Sequence, residues 1–403
     1  MPNLKRARSG GRQRVTTIEL FFDLVYVFAI TQLSHYLLHH LTVAGALEAG
    51  LLLAMVWLLW AYTTWVTNWV DPDRIPARLL LLALMLASLG MSAALPLAFT
   101  DSGLLVGCSY AAMQIGRSAF ASWALRGDPL GVNFQRILAW CCVSGTLAVA
   151  GGVTAGVVPR AVLWLGAVGV DLLGGTVGFY TPGLGATPTT GWTIEGGHFA
   201  ERCQAFILIA LGESIVVTGA TLFGLLAGPL AKPGAERAPT IAAFLIAFIG
   251  SAALWWVYFD RTAEASARLL ATAADPGRLG RSAYHLIHPV MVAGIIVAAA
   301  ADDLVLAGPR APASSAVAWL ILGGFGLFLA GHLAFTFAVW RHLNLPRALA
   351  LGVLALLGLL APHVSAVTLS GCAAAVVLGV CVADRAGRVR TDRDSAESAA
   401  APG

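Results

Sequence analysis

The chain has 403 residues, of which 58% are hydrophobic and only 11% charged, and its mean hydropathy is +0.79. A soluble domain carries about 25% charged residues, so this composition excludes an ordinary soluble enzyme. With repeated apolar runs of about 20 residues it specifies an all-α, polytopic membrane protein whose partner is the lipid bilayer. The formal net charge of +4 is no argument for a nucleic-acid partner, because basic residues at the ends of membrane helices set topology.

Residues 1–17 form a basic segment that runs into Glu19 and Asp23 without a small-residue cleavage pattern, so the first helix reads as retained and not as a signal peptide. That helix, expected over 18–40, is rich in Phe, Val, Leu and Ala. Yet Glu19, Asp23, Tyr26, Ile30 and Ser34 fall on one arc of about 80° at 100° per residue. Lipid cannot satisfy such a stripe, so it has to face inward; a polar first turn lying in the headgroups is the alternative. Further helices are expected at 44–70, 77–99, 103–124, 133–156, 159–180, 198–227, 240–262, 281–306, 315–340, 346–362 and 365–384, about 12 in all. Pro72, Pro76, Pro129, Pro159, Pro182, Pro188, Pro229, Pro233, Pro239, Pro276, Pro309, Pro312 and Pro346 mark the connections. The charged, Ala/Ser-rich stretch over 385–403 predicts a disordered tail. The six cysteines lie in apolar runs without CxxC or zinc spacing and read as small core residues.

Lys and Arg are divided unevenly between the two sides of such a bundle. The side of the termini holds Lys5, Arg6, Arg8, Arg12 and Arg14, the connections around Arg74, Arg126, Arg261 to Arg281 and Arg341, Arg202 at the start of the seventh helix, and the tail from Arg385. The other side holds Arg160, Lys232, Arg237 and Arg310. The positive-inside rule then places both termini in the cytoplasm. The membrane domain, 18–384, also carries hints of two parallel six-helix repeats, with halves 18–180 and 198–384. Glu19 is answered by Glu201, the aromatic end of helix 2 (Trp57, Trp60, Tyr62) by that of helix 8 (Trp255, Trp256, Tyr258), and Arg74 and Gly90 by Arg278 and Gly294.

Ionisable groups inside apolar helices cost several kcal/mol unless paired or hydrated, which makes them the first candidates for a binding or translocation site. One layer lies near the cytoplasmic face: Glu19, Asp23, His198, Glu201, Asp260, His285 and His288, with Gln204 on the same helix as Glu201. Several are spaced i,i+3 or i,i+4 and so share a helix face. Pro289 removes a hydrogen bond to the carbonyl of His285, which predicts a kink and a free backbone acceptor there. A second layer lies deeper: Glu213 with Ser214, Gln32, and Arg117 with Asp171, the last two expected as a buried ion pair. Structural anchoring and pairing account for the same residues without any ligand. Gly174-Gly175, Gly323-Gly324 and Gly326 read as close helix contacts. No metal-ligand spacing, P-loop, dinucleotide or hydrolase motif stands in a usable context, so neither a cofactor nor a catalytic set is implied.

The run Glu19-Leu20-Phe21-Phe22-Asp23-Leu24-Val25-Tyr26-Val27-Phe28 resembles the opening signature of the bacterial low temperature requirement protein A (LtrA) family. His198-Phe199-Ala200-Glu201-Arg202, Ala210-Leu211-Gly212-Glu213-Ser214, and Tyr284, His288-Pro289 and Gly294-Ile295 fit the same pattern. The resemblance implies a bacterial inner-membrane protein and no particular reaction. The residues favour a transporter or channel-like protein for a small solute or cation, proton-coupled or not. The alternatives are a membrane-embedded enzyme that acts on a lipid through the carboxylate and His layer, and a structural protein of cold adaptation.

Overall fold

The computed structural model describes residues 4–6, 14–188, 194–227, 234–260, 262–273 and 275–400, the side chains of 234–236 and 387–400 excepted. Arg8, Arg12, Lys232, Arg261, Pro229 and Pro233 lie outside the described residues.

A bilayer interior offers the backbone no partner but itself, and the described residues form helices and no strand. They are α1 (Thr17–His39), α2 (Val43–Thr67), α3 (Ile75–Ala94), α4 (Gly103–Ala124), α5 (Pro129–Val153), α6 (Val157–Thr176), α7 (Gly196–Leu226), α8 (Gly234–Phe259), α9 (Thr262–Thr272), α10 (Pro276–Leu279), α11 (His288–Ala307), α12 (Ser315–Trp340), α13 (Leu345–Leu357) and α14 (Ala366–Ala400). The starts are chemically marked. The side chains of Thr42, Asp128, Asp275, Ser314 and Asn344 accept a first-turn N–H, and Pro76, Pro129, Pro276 and Pro346 occupy the first two helical positions.

Among the described residues ten helices are long and apolar enough to cross a membrane, so the chain is a polytopic helical bundle. All twelve expected helices are present, with differences of degree. α13 has 13 residues, about 20 Å at 1.5 Å per residue, which is short of a hydrocarbon core of about 30 Å. α4 has the length but carries Tyr110, Gln114 and Arg117 on its buried side. α9 is an addition to the expected set; its Ala263, Ser266, Ala267 and Leu270 recur at helical spacing and are buried. α14 continues to Ala400 through residues whose composition predicts disorder, because Ala, Arg and Glu are themselves good helix formers. Of the cysteines, Cys141 and Cys203 are core residues, whereas Cys108, Cys142 and Cys372 are exposed on the outer faces of their helices.

The chain folds as two compact units, Met1–Glu213 with Ser266–Pro289, and Ser214–Ala265 with Val290–Gly403. The division falls inside α7 and at Pro289. In the first unit α4, α5 and α6 pack in sequence, α3 lies between α1 and α4, and α2 touches α1, α4 and α6. The α4–α5 crossing is close because it is lined by small residues: a Cβ on Gly107 would lie 2.3 Å from the Ala148 carbonyl oxygen. In the second unit α8 packs on α14, and α12 on α13 and α14. There Gly324 lies against the Ala298 backbone, while Gly323 and Gly326 face open space.

Pro289 disturbs its helix more broadly than a kink. The segment Gly280–Ile287 is π-helical and joins α10 to α11. The His288 imidazole Nδ1 lies 3.2 Å from the Ala283 carbonyl, five residues back. The carbonyl that Pro289 leaves without its helical partner, that of His285, is taken by the Trp57 indole N–H at 2.7 Å. Replacement Gly107→Ala should cost about 1–3 kcal/mol by forcing the α4–α5 crossing apart, whereas Gly323→Ala should cost nothing; thermal unfolding of the detergent-solubilised protein compares the two. By the same measurement Trp57→Phe, which strands the buried His285 carbonyl, should lose about 1–3 kcal/mol.

Candidate functional site

The stripe on α1 faces inward: Glu19, Asp23, Tyr26, Ile30 and Ser34 are all buried, and Leu20, Phe21, Leu24 and Phe28 are exposed. What meets the two carboxylates is α7, whose His198 and Arg202 repeat their four-residue spacing. Arg202 grips Asp23 with two prongs: Nε donates to Oδ2 at 2.7 Å and Nη2 to Oδ1. The Trp60 indole also donates to Oδ1, at 2.6 Å. Glu19 Oε1 accepts from Arg202 Nη1 at 3.2 Å and Arg6 Nη1 at 3.4 Å, and bonds His198 Nε2 at 2.9 Å. Its Oε2 accepts the Thr16 N–H and hydroxyl, both at 2.9 Å, closing a capping box. Asn68 braces the far side of His198 at Nδ1 (3.3 Å) and ties itself to the Glu195 backbone. Glu19, Asp23, His198 and Arg202 have no exposed surface, and every carboxylate oxygen has a donor. This lattice is full and offers no place to a passing cation.

A third contact continues it, since Thr31 on α1 donates to Glu213 on α7. Glu19 with His198, Asp23 with Arg202 and Thr31 with Glu213 ascend together along both helices. α1 and α7 therefore run parallel and begin on the same side. The other candidates are placed apart. Tyr26 is buried against Phe22 and Phe206, with ring centroids 5.3 and 6.0 Å away. Gln32, Glu201 and Gln204 are half-buried, and Asp260 is exposed at the end of α8. Ser214 faces Ser251 within the second unit, 3.5 Å between hydroxyls. His288 is buried and stacked on Tyr284 at 5.0 Å.

Arg117 and Asp171 are not the direct ion pair that their depth suggests. Gln114 stands between them, accepting from Arg117 Nη2 with its carbonyl oxygen and donating to Asp171 Oδ2 with its amide. Tyr110 also donates to Oδ2. The Tyr62 hydroxyl donates to the Asp171 backbone carbonyl at 2.8 Å, and its ring lies 5.1 Å from the Arg117 guanidinium. Here three polar atoms are buried without any hydrogen-bond partner: Arg117 Nε, Asp171 Oδ1 and His285 Nδ1. The Ser144 hydroxyl, which also lies close to the Asp171 carboxylate, donates to the Cys141 carbonyl at 3.3 Å.

All three of those residues line one cavity of about 510 Å³ within the first unit. Its walls are aromatic and aliphatic, with Trp65, Trp69, Phe134, Ile137 and Phe179 among them, and Arg281 stands at its side, donating to the Gly175 carbonyl. The lining comes from the ends of α2 and α4, the start of α5, the end of α6 with the loop after it, and α10 with the π-helical segment that follows. Tyr62, Arg117 and Asp171 sit five to seven residues inside their helix ends, about 8–10 Å deep at 1.5 Å per residue. Among the described residues no group of three His, Cys, Asp or Glu side chains converges to hold a metal.

The model of the bacterial low temperature requirement A protein, LtrA, matches residues 14–382. The chain belongs to the LtrA family. It is also similar to uncharacterized protein RA0937 of Rhizobium meliloti (strain 1021), with 38% identity over 315 residues, 78% of this chain and 75% of that one. No solved structure matches the chain.

In this LtrA protein the deciding cation of the lattice, Arg202, reads in the sequence only as a topology charge beside Glu201. Its four-residue spacing from His198 is the signal that pairs it with Glu19 and Asp23. Tyr110, Gln114 and Arg117 likewise form a polar stripe at helical spacing on α4 that marks the floor of the cavity. Trp60, Asn68 and Arg6 carry no such signal. Arg202→Met would leave two buried carboxylates without their shared counter-ion and should cost about 3–5 kcal/mol. A large loss of folded, monodisperse protein on size-exclusion chromatography is the expected readout, and a melting point equal to wild type would show that the lattice does not hold α1 to α7.

Proposed function

We propose that the protein is a transporter of the bacterial inner membrane that takes up a small solute in the cavity of its first unit. Both termini lie in the cytoplasm, and the cavity faces that side. The observation that carries this reading is the set of unpartnered buried atoms on Arg117, Asp171 and His285, all lining a cavity inside a chain of ten membrane-length helices. A buried polar group without a partner costs about 1–3 kcal/mol, and a bound solute is what would satisfy three of them at once. The uneven distribution of Lys and Arg supports the orientation, and the loops beside the cavity belong to the side of the N-terminus. Glu19 and Asp23 take no part in the path, because their oxygens are engaged, and the same engagement argues against the lattice as an acid–base centre. Deep polar groups at the inner ends of several helices are what a substrate-binding step in a membrane requires.

Reconstitution into liposomes tests this. Uptake of radiolabelled amino acids, amines, carboxylates and alkali cations is compared between wild type, Asp171→Asn and empty vesicles. At least one solute should accumulate about tenfold faster with wild type than with empty vesicles, a difference of about 1.4 kcal/mol in barrier, and Asp171→Asn should abolish the excess while remaining folded. Wild-type rates equal to those of empty vesicles for the whole panel would reject transport.

A further inference from the structure

Resting on the reading of this cavity as a solute site, we infer that its ligand is a small zwitterion with an apolar body, the chemistry of an apolar or aromatic α-amino acid. The floor presents one unpartnered donor, Arg117 Nε, and one unpartnered carboxylate acceptor, Asp171 Oδ1. The two groups are joined through a single amide, that of Gln114. A ligand that carries an ammonium and a carboxylate on one carbon supplies both complements: the ammonium donates to Asp171 and the carboxylate accepts from Arg117. His285 Nδ1 is a third contact that suits either end, according to its tautomer.

Charge decides against simpler ligands. Arg117 and Asp171 have 0% and 2% of their surface exposed, and the floor they form is already neutral. A lone amine would add a positive charge to a cavity that already holds Arg117 and Arg281, and a lone carboxylate would leave Asp171 Oδ1 without a donor, whereas a zwitterion supplies both complements and adds no net charge. An alkali or divalent cation wants a shell of several oxygens, and the cavity sets two guanidinium groups, Arg117 and Arg281, against it. A cavity of about 510 Å³ falls in the usual range for small-molecule sites, about 300–1,000 Å³. Trp65, Trp69, Phe134 and Phe179 give an aromatic or branched side chain a surface to bury.

Binding to the purified full-length protein in detergent micelles tests the assignment, read by titration calorimetry and by shift of the melting temperature. The probes are L-phenylalanine and L-leucine, with phenethylamine and 3-phenylpropionate as single-charge analogues of the first and glycine as a zwitterion without a body. Phenylalanine or leucine should bind saturably, and each single-charge analogue and glycine should bind at least about tenfold more weakly. Ile137→Trp, which fills the cavity without touching its floor, should abolish binding. Asp171→Asn should erase the preference for phenylalanine over 3-phenylpropionate. A single-charge analogue that binds wild type as tightly as phenylalanine, an Ile137→Trp protein that still binds, or a folded wild type that binds neither amino acid would each overturn the assignment. The wild-type analogue series stands even if both variants fail to fold. Amino-acid binding without flux in liposomes would keep the ligand and remove transport; flux of a different solute with no amino-acid binding would do the reverse.

Discussion

One guanidinium shared by two carboxylates, all three buried away from the surface, governs the first unit of this protein. Arg202 joins Glu19 and Asp23 at distances of hydrogen bonds and not merely of charges, and His198, Trp60, Thr16 and Arg6 supply the remaining donors. Burying such a group gives little net stability, since desolvation consumes most of the Coulombic gain. What it gives is register. α1 and α7 are otherwise apolar rods that could slide or rotate at small cost, and a rise or turn of one residue would break several charge-assisted bonds together.

The same unit holds the opposite case a short way off. Around Asp171 and Arg117 the supply of partners stops short, leaving one acceptor and one donor unmatched beside a cavity. The contrast is informative because both groups are buried to the same degree. Arg160, buried in the same unit, is supplied in full, reaching the carbonyls of Ala98, Thr100, Gly151 and Thr154. An incomplete network in such a setting marks a place kept for something else.

Much of this is legible in the amino-acid sequence. Hydropathy and proline punctuation place the helices, because a membrane span is the strongest pattern a sequence can carry. The one-sided arc on α1 points inward as expected, and the carbonyl that Pro289 sets free is used, by Trp57. Pairing between distant helices is not legible. The four-residue spacing of His198 and Arg202 matches that of Glu19 and Asp23, yet nothing local says that those two helices meet, or that Gln114 will bridge an Arg and an Asp that look like partners. Glycines show the same limit: Gly324 is pressed against a neighbour while Gly323 is open, since adjacent residues on a helix point in different directions.

The distance along the chain between the lattice's two halves has a bearing on how the protein is made. Arg202 lies 179 residues after Asp23, so α1 leaves the ribosome long before its counter-charge exists. During that interval two carboxylates sit in the first turns of a helix that is otherwise ready to partition into lipid, and the cost of carrying them inward unpaired holds that end at the headgroups. Settling of α1 to its final depth then waits for α7. The first helix to be synthesised is thus locked only after α7 has followed it, and the first unit is complete only when residues 266–289 have joined it.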